Sequence, residues 1–202
     1  MTSRKVEVSR KTRETDVSLA LDFDSSGVGA AGAPAESLPR TGIAFFDHLL
    51  AAMAFHGGFH LSLKAQGDLE VDPHHLVEDT GLAFGQALAE ILGKSGSLAR
   101  FGHATIPMDE ALAEVAIDVC GRSTLVWKVE FPQPRAGSFE LSLLKEFFAA
   151  VAFRAGISLH ACIRYAENGH HAAEALFKAF GKALHRAYSL SDREMSTKGR
   201  IG

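Results

Sequence analysis

The chain carries one five-residue pattern twice, and this repetition constrains its fold more than any other feature. His-His-x-x-Glu stands at residues 74–78 and again at residues 170–174, which are 96 positions apart. At the same separation, Phe84-Gly85 and Ala87-Leu88 match Phe180-Gly181 and Ala183-Leu184. One such pattern can arise by chance, but two inside an aligned repeat indicate a duplicated half-domain.

The repeat extends upstream of both patterns and pairs further titratable residues. Residues 49–56 resemble residues 147–154 at a separation of 98, so the connecting loops differ by two residues. Other equivalent pairs are His48 with Glu146, just before these stretches, and Glu14 with Glu110, each opening an alternating apolar run. Imidazole and carboxylate side chains bind metal ions, so the duplication predicts a metal site that both halves share.

Apolar periodicity predicts a matching order of strands and helices in the two halves. The first half has a strand at 16–23, a loop at 24–41, a helix at 42–56, a strand at 59–63 and a helix at 73–92. The second half has strands at 102–107, 110–119 and 123–131, a helix at 141–155, a strand at 157–164 and a helix at 170–188. This order predicts an α+β fold of internally duplicated half-domains, with the helices layered on one face of the sheets.

Composition sets the size of the fold and excludes several classes of protein. With 202 residues, 47% hydrophobic content and a formal charge of −3, the chain lacks the basic footprint of a nucleic-acid-binding protein. We expect a single duplicated domain over residues 1–202, with halves at about 1–95 and 100–190 and a polar tail at 189–202. No apolar run approaches the roughly 20 residues of a membrane helix, and no signal peptide is expected. Cys120 and Cys162 fit a reduced, cytoplasmic protein.

The geometry of a helix decides what each repeated pattern can bind. Neighbouring residues point about 100° apart, so His74 and His75 do not easily share one ion, whereas residues three or four apart lie on one face. Glu78 therefore pairs with either His74 or His75, and the sequence leaves both pairings open. Two metal ions, each bound from both halves, account for histidines that diverge in this way.

The sequence offers eight candidate ligands, or four for each of two ions. These are His48, His74, His75, Glu78, Glu146, His170, His171 and Glu174. On a six-coordinate ion, two positions would then stay open for substrate. Nitrogen and oxygen ligands without a thiolate favour an octahedral ion such as Mn²⁺ over structural zinc. We interpret Asp109-Glu110 as surface charge.

Several motifs together make the chain resemble the imidazoleglycerol-phosphate dehydratase family of histidine biosynthesis over nearly its whole length. They lie at residues 13–15, 42–48, 72–79, 100–102, 108–111, 121–122, 170–179 and 196–199. The resemblance implies a carbon–oxygen hydro-lyase that converts imidazole glycerol phosphate to imidazole acetol phosphate with two Mn²⁺ ions. It also implies a fold like the second domain of ribosomal protein S5 and a homo-oligomer of 24 subunits with active sites between subunits.

The resemblance also implies roles for particular residues. The eight candidates above would be the metal ligands, and Glu14 would lie beside the carbon skeleton as the proton shuttle. Arg100, Arg122 and the segment Ser196-Thr197-Lys198 would hold the substrate phosphate. Metal binding would make the substrate ring an imidazolate, which expels the adjacent hydroxyl. Glu146 stands where many members have histidine, and this alters the charge of its metal site.

Two other functions remain open on the sequence alone. A dinuclear metallohydrolase would use the same ligands to direct a bridging hydroxide at an ester. A metal-storage or sensing protein of the four-helix di-iron type would use Glu-x-x-His motifs in a helical bundle. The strands predicted between the helices argue against such a bundle.

Overall fold

The computed structural model describes residues 3–25, 38–95 and 97–192, which form two larger sheets, a two-stranded ribbon and four helices. The strands are β1 (Lys5–Lys11), β2 (Thr15–Asp22), β3 (His60–Gly67), β4 (Phe101–Met108), β5 (Ala111–Val119), β6 (Thr124–Lys128), β7 (Arg135–Ala136), β8 (Phe139–Glu140) and β9 (Ile157–Tyr165). The helices are α1 (Ala44–Gly57), α2 (His74–Lys94), α3 (Leu143–Ala155) and α4 (Gly169–Ala187). Over the described part of the chain, no helix has the length and apolarity to cross a membrane.

The duplication is visible in the hydrogen-bond register of the sheets. The first sheet has the order β1-β2-β3 and the second the order β4-β5-β9-β6, with β6 parallel to β9 and the other neighbours antiparallel. Lys5 pairs with Asp22 in the first hairpin, and Phe101 pairs with Asp118 in the second, so the register repeats after 96 residues. The predicted α+β fold with duplicated halves is confirmed.

Helices join the two halves. α2 packs on the first sheet and α4 on the second, while α1 contacts α4 and α2 contacts α3 across the junction. Buried phenylalanines from both halves meet there, and Phe46, Phe84, Phe147, Phe148, Phe177 and Phe180 form a network of ring contacts. α1 and α3 each end at a glycine with positive φ, Gly58 and Gly156, which are equivalent in the repeat. The packing therefore fixes the starts of all four helices relative to one another.

The α2–α3 contact is close enough to require glycine, which gives a test of the packing. A Cβ on Gly81 would lie 2.7 Å from the carbonyl oxygen of Phe147, whereas a Cβ on Gly93 in the same helix would meet no described atom within 4 Å. We expect Gly81→Ala to lower the free energy of unfolding by about 1–3 kcal/mol, because the helices must separate. Gly93→Ala should raise it by up to about 1 kcal/mol through helix propensity. Urea denaturation of both variants measures this, and equal effects would contradict the packing.

The structure departs from the sequence expectations mainly at strands. β1 was not predicted, because only Val6 and Val8 of its seven residues alternate as buried apolar side chains. The strand expected at 123–131 is shorter, since β6 ends at Lys128 and the two-residue ribbon β7–β8 follows. Of the predicted loop at 24–41, residues 26–37 lie outside the described residues. The predicted helices agree with the observed ones to within two residues at each end.

Candidate metal centre and active site

The N-terminal parts of α1 and α4 bring three predicted ligands together. His48 Nε2 lies 3.1 Å and His170 Nε2 lies 3.2 Å from the same oxygen, Oε2 of Glu174. Asn168 caps α4 by accepting a hydrogen bond from the backbone N–H of His170, at 2.8 Å, which fixes where the helix begins. Glu174 thus shares a helix face with His170 rather than with His171. Two imidazole nitrogens and one carboxylate converge on a space suited to a divalent ion.

Glu174 is held ionised in this group. Its side chain is only 10% exposed, and Lys178 Nζ lies 2.9 Å from Oε1, the oxygen that faces away from the histidines. Burial by itself would raise the pKa of Glu174, but hydrogen bonds from Lys178 and His48 outweigh burial and lower the pKa to about 2. The carboxylate is therefore charged at neutral pH and ready to bind a cation through Oε2.

The first half carries a related but looser group. His74 Nε2 lies 3.7 Å from Glu78 Oε2, so Glu78 lies beside His74 on the surface of α2. Glu146 is half-buried in the first turn of α3, the helix that packs on α2 as α1 packs on α4. Among the described residues, these three side chains do not approach as closely as His48, His170 and Glu174 do.

The second histidine of each pattern, His75 or His171, contacts a carboxylate outside its own His-His-x-x-Glu pattern. His75 Nδ1 lies 3.1 Å from Asp68 Oδ2 and 3.7 Å from Glu14 Oε2, and His171 Nδ1 lies 2.8 Å from Glu110 Oε2. Hydrogen bonds to Asp68 and Glu110 raise the pKa values of His75 and His171. A carboxylate on Nδ1 is the usual outer partner of a metal-bound histidine, and it directs Nε2 towards the ion.

These contacts correct the interpretation of Glu110 as surface charge and add Asp68 to the candidate site. Glu110 is not simple surface charge, because it also accepts a hydrogen bond from the backbone N–H of Asn168 at 2.8 Å. Its match with Glu14 in the repeat was the signal for a role in the site. Asp109, by contrast, is exposed, with its carboxylate 3.6 Å from His171 Nε2. Asp68 lies in no repeated motif, so no sequence pattern indicated its contact with His75.

An open cavity of about 800 Å³ adjoins the group formed by His48, His170 and Glu174. Phe45 and Phe139 form part of its wall, and the Phe45 ring makes an edge contact with the His170 ring at 5.0 Å between centroids. Apolar walls with a few convergent polar groups are typical of sites for small ligands. The cavity has room for a compound the size of a phosphorylated imidazole.

The two predicted phosphate-binding arginines lie at one end of the second sheet. Arg100 directly precedes β4, and its carbonyl accepts a hydrogen bond from the backbone N–H of Val119 at the end of β5. Arg122 lies in the short connection between β5 and β6. Arg100 has a φ of 69°, and its Nε and Nη2 atoms donate to Asp118 at 2.7 and 3.2 Å. A strained backbone at a charged side chain is typical of a binding site. The third predicted element, residues 196–198, lies outside the described residues.

Comparisons with known proteins agree with this geometry. The family model for imidazoleglycerol-phosphate dehydratase matches residues 41–184. Relatives described by the same name from Methanosarcina mazei and Acetivibrio thermocellus are 50% and 49% identical, over 96% and 98% of this chain and 98% and 99% of theirs. Crystal structures of this enzyme from Staphylococcus aureus and Pyrococcus furiosus are similar with TM-scores of 0.79 and 0.80, at 33% and 36% identity. The alignments cover 92% and 95% of this chain and 100% and 98% of those chains.

Proposed function

The chain belongs to the imidazoleglycerol-phosphate dehydratase family, and from this we propose that it dehydrates imidazole glycerol phosphate to imidazole acetol phosphate with two bound Mn²⁺ ions. The observation that carries the proposal is the convergence of His48, His170 and Glu174 beside a cavity of ligand size. The reaction places the enzyme in histidine biosynthesis. A cytoplasmic location fits its two free cysteines, Cys120 and Cys162.

The donor set fits two octahedral ions. One ion would be held by His48, His170 and Glu174, and the other by the equivalent residues Glu146, His74 and Glu78. Nitrogen and oxygen donors without thiolates suit Mn²⁺. Bound to the substrate ring, such ions would lower the pKa of the imidazole, as they do for bound water.

We further propose that the metal sites are completed between subunits of a homo-oligomer, of 24 subunits by family resemblance. The support is that His170 and His171 diverge, with ring planes 79° apart, so that among the described residues the group around Glu174 contains three candidate ligands from its own chain. The Nε2 atoms of His75 and His171 are oriented by Asp68 and Glu110 and would supply the fourth ligand to neighbouring chains. Within each subunit, the two halves would form one duplicated domain.

Glu14 is the proposed proton shuttle. Its side chain is 57% exposed, at the tip of the β1–β2 hairpin, and its carboxylate lies 3.7 Å from His75 Nδ1. The equivalent Glu110 is engaged by His171 and by backbone N–H groups, so its oxygens are occupied. Glu14 is therefore the carboxylate of the pair that can take a proton from a substrate carbon.

Arg100, Arg122 and Ser196-Thr197-Lys198 are proposed to hold the phosphate. Arginine guanidinium groups match phosphate oxygens in geometry as well as charge. The segment that follows α4 lies beside the segment that leads into β4. The backbone N–H of Ser191 donates a hydrogen bond to the carbonyl of Ser97 at 2.9 Å. The backbone N–H of Ala99 also donates to the carbonyl of Ser189 at 2.8 Å, so the start of the C-terminal tail lies beside the residue that precedes Arg100, which supports the proposal.

Metal removal tests the proposed reaction against metal-dependent ester hydrolysis. Chelated protein should lose dehydratase activity on imidazole glycerol phosphate and regain it with Mn²⁺, because the substrate ring needs metal to become reactive. Generic phosphoesters should not be hydrolysed by the same preparation. Restored hydrolysis of phosphoesters without dehydration would favour a metallohydrolase. Bound metal without either activity would favour a storage protein.

A further inference from the structure

Asp79, a buried carboxylate on α2, has hydrogen-bond partners on the β1–β2 hairpin. Among the described residues, two carboxylates are buried, Glu174 of the metal group and Asp79, which follows Glu78 on α2. Arg10 donates from Nε to Asp79 Oδ1 at 2.8 Å, and the Thr15 hydroxyl donates to Oδ2. Both partners belong to the β1–β2 hairpin. A buried charge needs such partners, so Asp79 ties the hairpin to the helix.

The connection continues to the backbone of Glu14. The Thr12 and Thr15 hydroxyl oxygens are 3.1 Å apart, and Thr12 Oγ1 accepts hydrogen bonds from the backbone N–H groups of Glu14, at 3.1 Å, and Thr15, at 3.0 Å. Each hydroxyl has one donor. Because Thr15 donates to Asp79, Thr12 must donate to Thr15. A directed chain of hydrogen bonds thus runs from the amide of Glu14 to the carboxylate of Asp79.

The second half forms the same hairpin without this chain of hydrogen bonds. At the separation of 96, Arg10, Thr12, Thr15 and Asp79 correspond to Ile106, Met108, Ala111 and Ala175. The β4–β5 register is nevertheless the same as the β1–β2 register, and Ala111 and Ala175 are buried. The fold of the hairpin therefore does not require the polar residues.

The two halves fix their equivalent glutamates by different means. In the second half, the side chain of Glu110 is itself hydrogen-bonded, to His171 and to the backbone N–H of Asn168. In the first half, the network holds the backbone of Glu14 and leaves its side chain for other partners. We propose that Asp79 and Thr15 are positioning residues that hold Glu14 at its working distance from the metal-binding helix α2. This inference rests on the proposed role of Glu14.

Thr15→Val tests the inference, because it keeps the shape and removes the hydroxyl. We expect kcat to fall about 10- to 100-fold, since a displacement of about 1 Å has this effect on a positioned group. KM and metal content should stay within twofold. Thr15→Ser should restore most of the rate. The matched control is Thr80→Val on α2, because the buried Thr80 hydroxyl has no hydrogen-bond partner among the described residues.

A double variant separates positioning from general damage to the fold. In the Glu14→Gln background, Thr15→Val should lower the remaining rate less than twofold, because the group that it positions is already lost. An equal fold-loss in both backgrounds would reject the positioning role and leave the role of Glu14 intact. Full turnover of Glu14→Gln alone would reject the role of Glu14, and the positioning role with it. An unchanged kcat in Thr15→Val would also overturn the inference.

Discussion

Glu14→Gln should lower kcat by about 10²–10⁴-fold, the range that a positioned proton-transfer group contributes. The amide keeps the shape of the side chain but does not accept a proton from carbon at neutral pH. Metal content should not change, because Glu14 approaches His75 on its Nδ1 side and would leave Nε2 for the proposed ion. Steady-state kinetics on imidazole glycerol phosphate, with metal analysis of the same preparation, measures both quantities.

A second carboxylate of the same hairpin provides the control. Glu7 is exposed on β1, and Glu7→Gln makes the same chemical change away from α2. It should leave kcat, KM and metal content unaltered. If Glu14→Gln lost metal in proportion to its lost turnover, Glu14 would be a ligand or a support for one. If its turnover were retained, a different group would carry the proton.

The features that could be predicted from the sequence are those that occur in both halves of the duplication. The two His-His-x-x-Glu patterns predicted helix starts, and α2 and α4 begin at or one residue before the first histidine. The equivalence of His48 and Glu146 predicted matching positions in the two halves, and both residues lie near the starts of their helices, α1 and α3. Repeated features are predictable because the same local pattern meets the same packing in both halves.

What the sequence missed lies where the halves differ. Asp68 contacts His75 from the loop after β3, and no spacing rule relates a loop carboxylate to a helix histidine. Asp79 is polar at a position where the second half has the buried Ala175, and its tertiary contacts with Arg10 and Thr15 explain the difference. Such contacts depend on how the hairpin lies against the helix. A pattern along one element does not contain that information.

The two halves share backbone and packing features but differ in the polar side chains around their candidate sites. The strand register, the glycine ends of α1 and α3, and the core pair Phe84 and Phe180 are common to both halves. The polar groups around Glu14 and Glu110 are not. Lys178 adds to the difference, because it binds Glu174 while its equivalent in the first half is Leu82. The group around Glu174 therefore carries less negative charge than the group formed by His74, Glu78 and Glu146. Two metal sites derived from one ancestor would be chemically unequal.

His75→Ala should remove a metal ligand and lower both metal content and turnover. An outer partner of a ligand contributes about 10- to 100-fold to metal affinity, so loss of the ligand itself should weaken one site by at least about 100-fold. Asp68→Asn, which keeps His75 but weakens its hydrogen bond, should show a smaller loss within that range. His160→Ala is the control, because His160 is exposed on β9, in a strand that carries none of the proposed ligands.

The three variants form a graded series that a general loss of stability does not reproduce. His75 is 38% exposed, so its truncation leaves no cavity in the core, and the circular dichroism spectrum should match that of the unaltered chain. Metal per chain should then fall in the order His160→Ala, Asp68→Asn, His75→Ala, and dehydratase activity should follow it. Full metal and full turnover in His75→Ala would remove His75 from the ligand set. The orientation of its Nδ1 towards Asp68 would then be a structural ion pair only.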